Sequence, residues 1–373
     1  MTSPPREPVD VRGLAGTREV VVCEDGGLFP VLATAGDEVI GILRGGAGHV
    51  GRSGRLELVR SRGGQTWSPP VVVADSDRDD RNAALGRLAS GALVLAYQRQ
   101  GAYDRDGVYR PDLRDADGER PAEVVVTRST DGGRSWAAPV PLGVAALAAG
   151  SPYGKIVCLA DGGLLLAIYD PWAEGGAASH VVRSTDDGRT WGDPTLVARG
   201  MNETALLAWD DRVLAVLRGA DRAQALFAAS SIDGGRTWSS AEPVAPARHH
   251  PGDLALLATG DVLLTYGNRA GPYRIEGLLS RDRGATWGDR LLALSGDLYE
   301  PGAPAGRVTD FGYPSTAAAG DGRAVTMYYV NPSLPAEVDG DPPHLRPPYR
   351  ADGYRAIAIS WSEDELVRAA RGS

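Results

Sequence analysis

Lysine is nearly missing from this chain. Lys155 is the only one among 39 basic residues. That asymmetry reads as a base-composition bias of the genome and not as a sign of function. Acidic residues outnumber basic ones and the formal net charge is −9, so a nucleic-acid partner is not expected. Cysteine occurs twice, as Cys23 and Cys158, in strand-like segments far apart in the chain, and both are expected to be buried free thiols. The five histidines, His49, His180, His249, His250 and His344, include no pair at helical ligand spacing, so neither a metal nor another cofactor is expected. A metal site would need His49 to converge in space with His249 or His250. The stretch from Met1 to Arg12 is proline-rich and charged and has no apolar run. A signal peptide and a membrane span are not expected there, and the default expectation is a cytoplasmic protein without a membrane partner.

What the chain has in quantity is glycine and proline, 49 and 26 residues, in a background that is 43% hydrophobic and 23% charged. This suits a turn-rich all-β protein with a large core. A length of 373 residues would ordinarily suggest two or three domains, but a repeat overrides that count. The octapeptide Ser129-Thr130-Asp131-Gly132-Gly133-Arg134-Ser135-Trp136 recurs, nearly unchanged, as Ser184 to Trp191, Ser231 to Trp238 and Ser280 to Trp287. A worn copy runs from Arg60 to Trp67, with Arg62 where the Asp should be. The five tryptophans are separated by 69, 55, 47 and 49 residues, which is the signature of a repeat architecture. In each copy the Asp can accept N–H bonds across its own turn, and Gly supplies a positive φ. The hydroxyls add local bonds and the Trp packs the turn against a sheet edge.

Between the turns one pattern repeats. In the third unit Lys155 to Ala160 reads as a first strand, Asp161-Gly162-Gly163 as a hairpin turn, Leu164 to Tyr169 as a second strand and His180 to Arg183 as a third. The octapeptide then leads into Thr195 to Val197. Equivalent units span 28–73, 81–141, 202–245 and 249–294, and their continuous apolar runs suit strands buried between neighbours. A sixth unit begins at Gly312, with strands near 324–330 and 354–361, but has no octapeptide and no fourth strand. Arg18 to Val22 can supply that strand and remove an exposed edge. The expectation is a single all-β domain over 1–373, a six-bladed β-propeller of four-stranded antiparallel blades closed by an N-terminal strand. An arm covers 1–17, the blades 28–361, and the tail 362–373 reads as a short helix or extension. Two polar insertions, 103–120 and 332–350, lie between second and third strands; the latter reads as a lid or an oligomer contact.

The octapeptide S-x-D-x-G-x-[ST]-W resembles the Asp-box, or BNR repeat, of the sialidase (neuraminidase) superfamily, and the resemblance covers about 28–361. In that family the box joins the third and fourth strands of a blade, on the face away from the active site. It is a scaffold element. The opposite face collects the starts of first strands, the ends of second strands and the second-to-third loops. The resemblance implies a Glu at the start of a central strand that activates a Tyr nucleophile opening the last blade; Glu203 and Tyr313 match these. It implies three arginines on a substrate carboxylate. Arg218 matches the second, and Arg269, or less closely Arg274, the third. Leu28, in Gly27-Leu28-Phe29-Pro30, stands where the first arginine belongs. The family's acid/base Asp has no counterpart, because the loop from Arg44 to Arg55 contains no Asp or Glu, and His49 is its nearest substitute. Further candidates on this face are Arg44, Asp80, Arg81, Tyr153 and His250 as substrate contacts.

The chemistry is coherent without the family. A Tyr with an ordinary pKa of about 10 needs a base to become a nucleophile, and Glu203 could take its proton. A His could protonate a leaving oxygen. Arg218 and Arg269 could hold a planar anion by paired N–H bonds. The expected activity is exo-acting hydrolysis of a terminal, anionic sugar, with a carbohydrate as the partner. Alternatives are a lyase using His49 and Tyr313 next to a uronic-acid carboxylate, and a carbohydrate-binding propeller without turnover. Glu203 in a buried structural ion pair and Tyr313 as a packed aromatic are the plainer readings of those two residues.

Overall fold

The computed structural model describes residues 7–118, 120–288, 290–299, 310–332, 345 and 347–371. Its six sheets are the six blades of a β-propeller, arranged as the repeat implies. Blade I holds Leu28–Ala35, Glu38–Gly45, Arg55–Ser61 and Val71–Ala74; blade II holds Asp79–Arg87, Leu93–Gln100, Ala122–Ser129 and Val140–Pro141. Blade IV holds Met201–Trp209, Arg212–Gly219, Leu226–Ser231 and Glu242–Ala245; blade V holds His249–Leu256, Val262–Asn268, Arg274–Ser280 and Leu292–Ala293. Blade VI is made from Phe311–Gly320, Arg323–Val330 and Arg355–Ser362, and its outer strand is Arg18–Glu24, paired antiparallel to Arg355–Ser362. The ring is therefore closed by the N-terminus, as expected. The arm adds something the sequence did not suggest. Val9–Asp10 pairs in parallel with Leu292–Ala293 of blade V, and Val11 is buried among blade V and VI side chains. The tail is a helix, Glu363–Arg371.

The octapeptides are wedges between blades as well as turns. In blade II the Ser129 hydroxyl donates to Asp131 (2.8 Å) and accepts from the Gly133 amide (2.8 Å). Asp131 also accepts from the Ser135 amide and hydroxyl. Gly133 has φ +81° and lies so close to blade I that a Cβ would sit 2.9 Å from Leu58. The same glycine meets Val94 of blade II from the blade III turn, Leu165 of blade III from blade IV, and Leu214 of blade IV from blade V. Gly64 meets Val325 of blade VI, so the contact runs around the ring. The worn copy is one residue short. Ser61 pairs with Val39 as Ser129 pairs with Leu93, and Trp67 still donates to the Gly64 carbonyl as Trp191 does to Gly188. The missing residue removes the Asp position, and the Ser61 hydroxyl donates instead to the Arg62 carbonyl at 3.5 Å.

Blade III departs from the expected boundaries. Its first strand starts at Ser151, not at Lys155, and is broken: Ser151–Pro152 and Val157–Cys158 pair with the second strand Leu164–Asp170. Between them Gly154–Lys155 swings away, at a Gly154 φ of +70°, and pairs in parallel with Ala84 and Leu85 of blade II. The detour carries Lys155 across the axis. Its ammonium donates to both oxygens of Asp253 (2.7 Å each) and to the Leu254 carbonyl in blade V. The lone lysine is thus an axial tie, a role its rarity did not signal.

Candidate functional site

Five of the six blades present a residue to the axis through the same backbone device; in blade III the first strand is broken instead. At the start of the first strand, two residues face one on the second strand. The irregularity falls at Phe29–Pro30, Asn82–Ala83, Asn202–Glu203, His250–Pro251 and Tyr313–Pro314. Such bulges turn a side chain out of the alternation of the strand. Phe29, Asn82 and Tyr313 occupy the same step of the device, and all three have left-handed backbone, φ 51°, 50° and 49°. Non-glycine residues reach that region at a cost of order 1 kcal/mol or more, which the surrounding packing must offset. These bulges are the physical reason why site residues cluster at first-strand starts.

At the centre, the Tyr313 hydroxyl of blade VI donates to Glu203 Oε1 of blade IV. Glu203 Oε2 accepts from Arg218 Nη1, which stands directly across the bulge on the second strand of blade IV. Burial and the Glu203 carboxylate push the Tyr313 hydroxyl well above the ordinary tyrosine range, against the opposing charges of Arg218 and Arg269. Burial works against the Arg218 charge, but Glu203 outweighs it and raises the guanidinium further. Arg269 donates to the Phe311 carbonyl and lies 5.9 Å from the Tyr313 ring centroid. His250 is 1% exposed; burial first, then Arg218 and Arg269, hold it well below the ordinary histidine pKa, so it is neutral at physiological pH. Its Nδ1 makes no hydrogen bond, and neither do the Nε atoms of Arg218 and Arg269. Three buried polar atoms without partners, beside one Tyr–Glu pair, are unusual in a folded interior. Tyr153 packs 6.1 Å from Tyr313 and donates to the Gly252 carbonyl (3.0 Å). Beneath Tyr313 and Glu203 an axial cavity is lined by Phe29, Asn82, Tyr153, Tyr169 and Asp253.

His49 and Tyr313 share one phenyl neighbour. The Phe29 ring packs edge-on against both, with centroids 4.9 Å from His49 and 4.7 Å from Tyr313. His49 Nδ1 is 3.3 Å from both oxygens of Asp310. That carboxylate also accepts from the hydroxyls of Tyr329 and Tyr354 (2.5 Å each).

Residues 52–327 match the family described as BNR repeat-like domain, about three quarters of the chain. The chain belongs to the BNR repeat-like family. Solved structures share the fold of this BNR repeat-like protein. A protein of unknown function from Dyadobacter fermentans is 23% identical, with 94% of this chain and 100% of that one covered, at a TM-score of 0.72. The Hadza microbial sialidase Hz136 is 16% identical, with 91% and 66% covered and a TM-score of 0.68. The Trypanosoma rangeli sialidase in complex with sialic acid is 14% identical, with 95% and 60% covered and a TM-score of 0.68. The chain therefore spans less than two thirds of those two sialidases. No curated protein matches the chain.

Other expected site residues of this BNR repeat-like chain have different surroundings. Arg44 is 1% exposed, and its donors are engaged: Nε with Gly48 O (2.8 Å), Nη1 with Asp79 and with Asp80 O (2.9 Å). It holds the loop that carries His49. Asp80 accepts from the amide and hydroxyl of Ser76, in a turn leading into blade II, and burial raises its pKa. Arg81 lies 3.9 Å from Asp79, and its Nε is 3.5 Å from Asn82 Oδ1. Leu28 is fully buried with Phe29, Tyr313, Tyr329 and Tyr354, so the missing arginine is replaced by packing. Arg274 donates to Glu276 (2.8 Å) within its own blade. His249 Nδ1 faces the Ala247 carbonyl at 2.9 Å. The 332–350 insertion lies mostly outside the described residues, as does His344. Among the described residues no group of three or more His, Cys, Asp or Glu side chains could hold a metal ion. Asp310 went unnoticed in the sequence. Its only local signal was its position just before Phe311, where blade VI begins.

Proposed function

We propose that this protein is an exo-acting glycoside hydrolase that releases a terminal sugar bearing an anionic group. The observation that carries this reading is the continuous chain Tyr313–Glu203–Arg218 across blades VI and IV. A tyrosine whose pKa is raised stays neutral until it reacts, so it does not repel an anionic sugar as a carboxylate nucleophile would. As the Tyr313 oxygen attacks the anomeric carbon, its proton passes to Glu203, already within hydrogen-bond reach. Protonation of Glu203 then leaves the Arg218 charge for the anion of the sugar, beside Arg269. His49 gives a proton to the departing oxygen and later takes one from the water that frees Tyr313, whose oxygen regains its proton from Glu203. Arg44 supports the His49 loop, and Asp80 and Arg81 shape the blade II side of the site. His250 and Tyr153 complete the wall as neutral contacts. With Leu28 in place of a third arginine, the cationic grip is weaker than three arginines would give. A sugar acid other than sialic acid is the better-matched substrate.

A panel of aryl glycosides of sialic acid, 2-keto-3-deoxy-nononic acid, glucuronic acid and neutral sugars tests this. Release from an acidic member, lost by about 100-fold or more in both Glu203→Gln and Tyr313→Phe, is expected. Full turnover in both variants would overturn the assignment. The His49–Asp310 contact favours one second reading, a lyase in which His49 removes the proton beside a uronic-acid carboxylate. That reaction creates a conjugated double bond, and ultraviolet absorbance of the product separates it from hydrolysis.

A further inference from the structure

We propose that Asp310 is a positioning residue that locks His49 in one tautomer, with Nδ1 protonated and Nε2 as the nitrogen that exchanges protons. Its use in catalysis rests on the glycosidase reading; the tautomer itself does not. Asp310 is fully buried at the start of blade VI. Its Oδ1 accepts from Tyr329 and its Oδ2 from Tyr354, while His49 Nδ1 sits 3.3 Å from both oxygens. Among the described residues, three groups converge on this carboxyl. A neutral carboxylic acid would have to donate to one of them, whereas the ionised form accepts from all three. The two tyrosines cannot release their protons to reverse the roles: burial first, then Asp310 itself, pushes both hydroxyls upward. Imidazole is a stronger base than a carboxylate, so the proton between His49 and Asp310 rests on Nδ1, and a neutral imidazole with its proton on Nδ1 has its lone pair on Nε2.

The loop is built to hold this geometry. The Gly48 amide donates to the Tyr349 carbonyl (3.1 Å), and a Cβ at Gly48 would come within 2.7 Å of the Arg350 carbonyl. The residue before His49 is thus clamped against the blade VI side of the site, where Asp310 lies. Arg44 clamps the same residue from below through the Gly48 carbonyl. A histidine needed only for packing would not require clamps on both sides of its neighbour together with a carboxylate that already has two hydroxyl partners. The arrangement makes Nε2 the exchanging nitrogen: with Nδ1–H held on Asp310, the imidazolium gives its Nε2 proton to the departing oxygen, and the neutral ring then takes a proton from water at the same atom. It replaces a carboxylic acid/base by a histidine oriented from another blade.

The test is a long-range proton–nitrogen correlation spectrum of the full chain labelled with ¹⁵N-histidine, with His49→Gln identifying the His49 signals. The expected result is a protonated Nδ1 and a bare Nε2 in neutral His49. A neutral His49 protonated on Nε2 overturns the proposal, and this measurement on the native protein needs no variant to fold. In Asp310→Asn, checked for folding by its near-ultraviolet dichroism, kcat on an acidic aryl glycoside should fall about 100-fold with KM little changed. A kcat loss below about threefold in the folded variant refutes the catalytic use. If the native protein cleaves no glycoside, the glycosidase reading fails while the tautomer result still decides the role of Asp310.

Discussion

Replacing Arg44 by Met should unseat the loop that carries His49 and destabilise the whole fold. Arg44 and Asp79 form an ion pair at 1% and 0% side-chain exposure, so neither charge has water to fall back on. Met retains most of the aliphatic volume, which isolates the loss of the guanidinium. Four bonds disappear, to Asp79 and to the carbonyls of Asp80, Gly48 and, at 3.4 Å, Gly51. Removing one member of a buried pair typically costs about 3–5 kcal/mol, because the other charge is left uncompensated. Here Asp79 keeps the Tyr103 hydroxyl, the Gly51 amide at 3.3 Å and, more distantly, Arg81 at 3.9 Å. The cost should fall near the lower end, about 3 kcal/mol, and lower the melting temperature by roughly 5–10 °C. Urea denaturation followed by tryptophan fluorescence measures it. Asp79→Asn should be costly for the converse reason, and the double variant should cost at least about 1 kcal/mol less than the two singles added. A loss below about 1 kcal/mol in Arg44→Met, or strictly additive effects, would refute the argument that this pair carries the loop.

Other expectations follow from the turns and the thiols. In the blade III turn, partial burial pushes the Asp186 carboxyl up, but the hydroxyl and amide of Thr190 and the hydroxyl of Ser184 outweigh it and hold the pKa at about 2. A depressed folded pKa gives stability that is present above the unfolded value of about 3.9 and lost as pH falls through 2. Acid melts of native protein and Asp186→Asn should therefore converge below that window; an unchanged difference at pH 2 and pH 7 would contradict it. Burial first raises the Cys23 thiol to about 11, so at pH 8 it should react with a disulfide reagent on the order of a hundredfold more slowly than a free thiol. Rapid labelling of Cys23 in the folded protein would show the packing around it to be wrong. Gly284→Ala places a Cβ at φ +91° and 2.5 Å from Leu214, and should cost about 1–3 kcal/mol in a urea titration without altering catalysis. A neutral effect would mean that the turn is no wedge between blades.

What could be read from the sequence was what the chain writes locally. The octapeptide bonds to itself within five residues, so Ser129, Asp131 and Ser135 announce the turn, and the turn fixes strand polarity and hence the site face. The positions of Glu203, Tyr313, Arg218 and Arg269 could be found because each lies at a strand end that polarity alone assigns to that face. The break in the first strand of blade III could not. Lys155 leaves its own blade for a parallel pairing with Leu85, and nothing between Ser151 and Ala160 encodes the partner. Arg44 looked like a substrate contact because an arginine ending a second strand is ambiguous; only the presence of Asp79 below it shows where its donors are engaged. His49 was visible as the one titratable residue in its Gly-rich loop other than the arginines. Its carboxylate lies 261 residues away in sequence, and no local pattern joins them.

The measurement that bears most directly on the central claim is a search for a covalent sugar on Tyr313. The protein would be incubated with 2,3-difluoro derivatives of the two 2-keto sugar acids in the panel and the 1,2-difluoro analogue of glucuronic acid, then digested and sequenced by mass spectrometry. One adduct is expected, on the Tyr313 oxygen, absent from Tyr313→Phe and slow to form in Glu203→Gln. Turnover of an acidic glycoside with an adduct on another residue, or with none under conditions that block the enzyme, would contradict it.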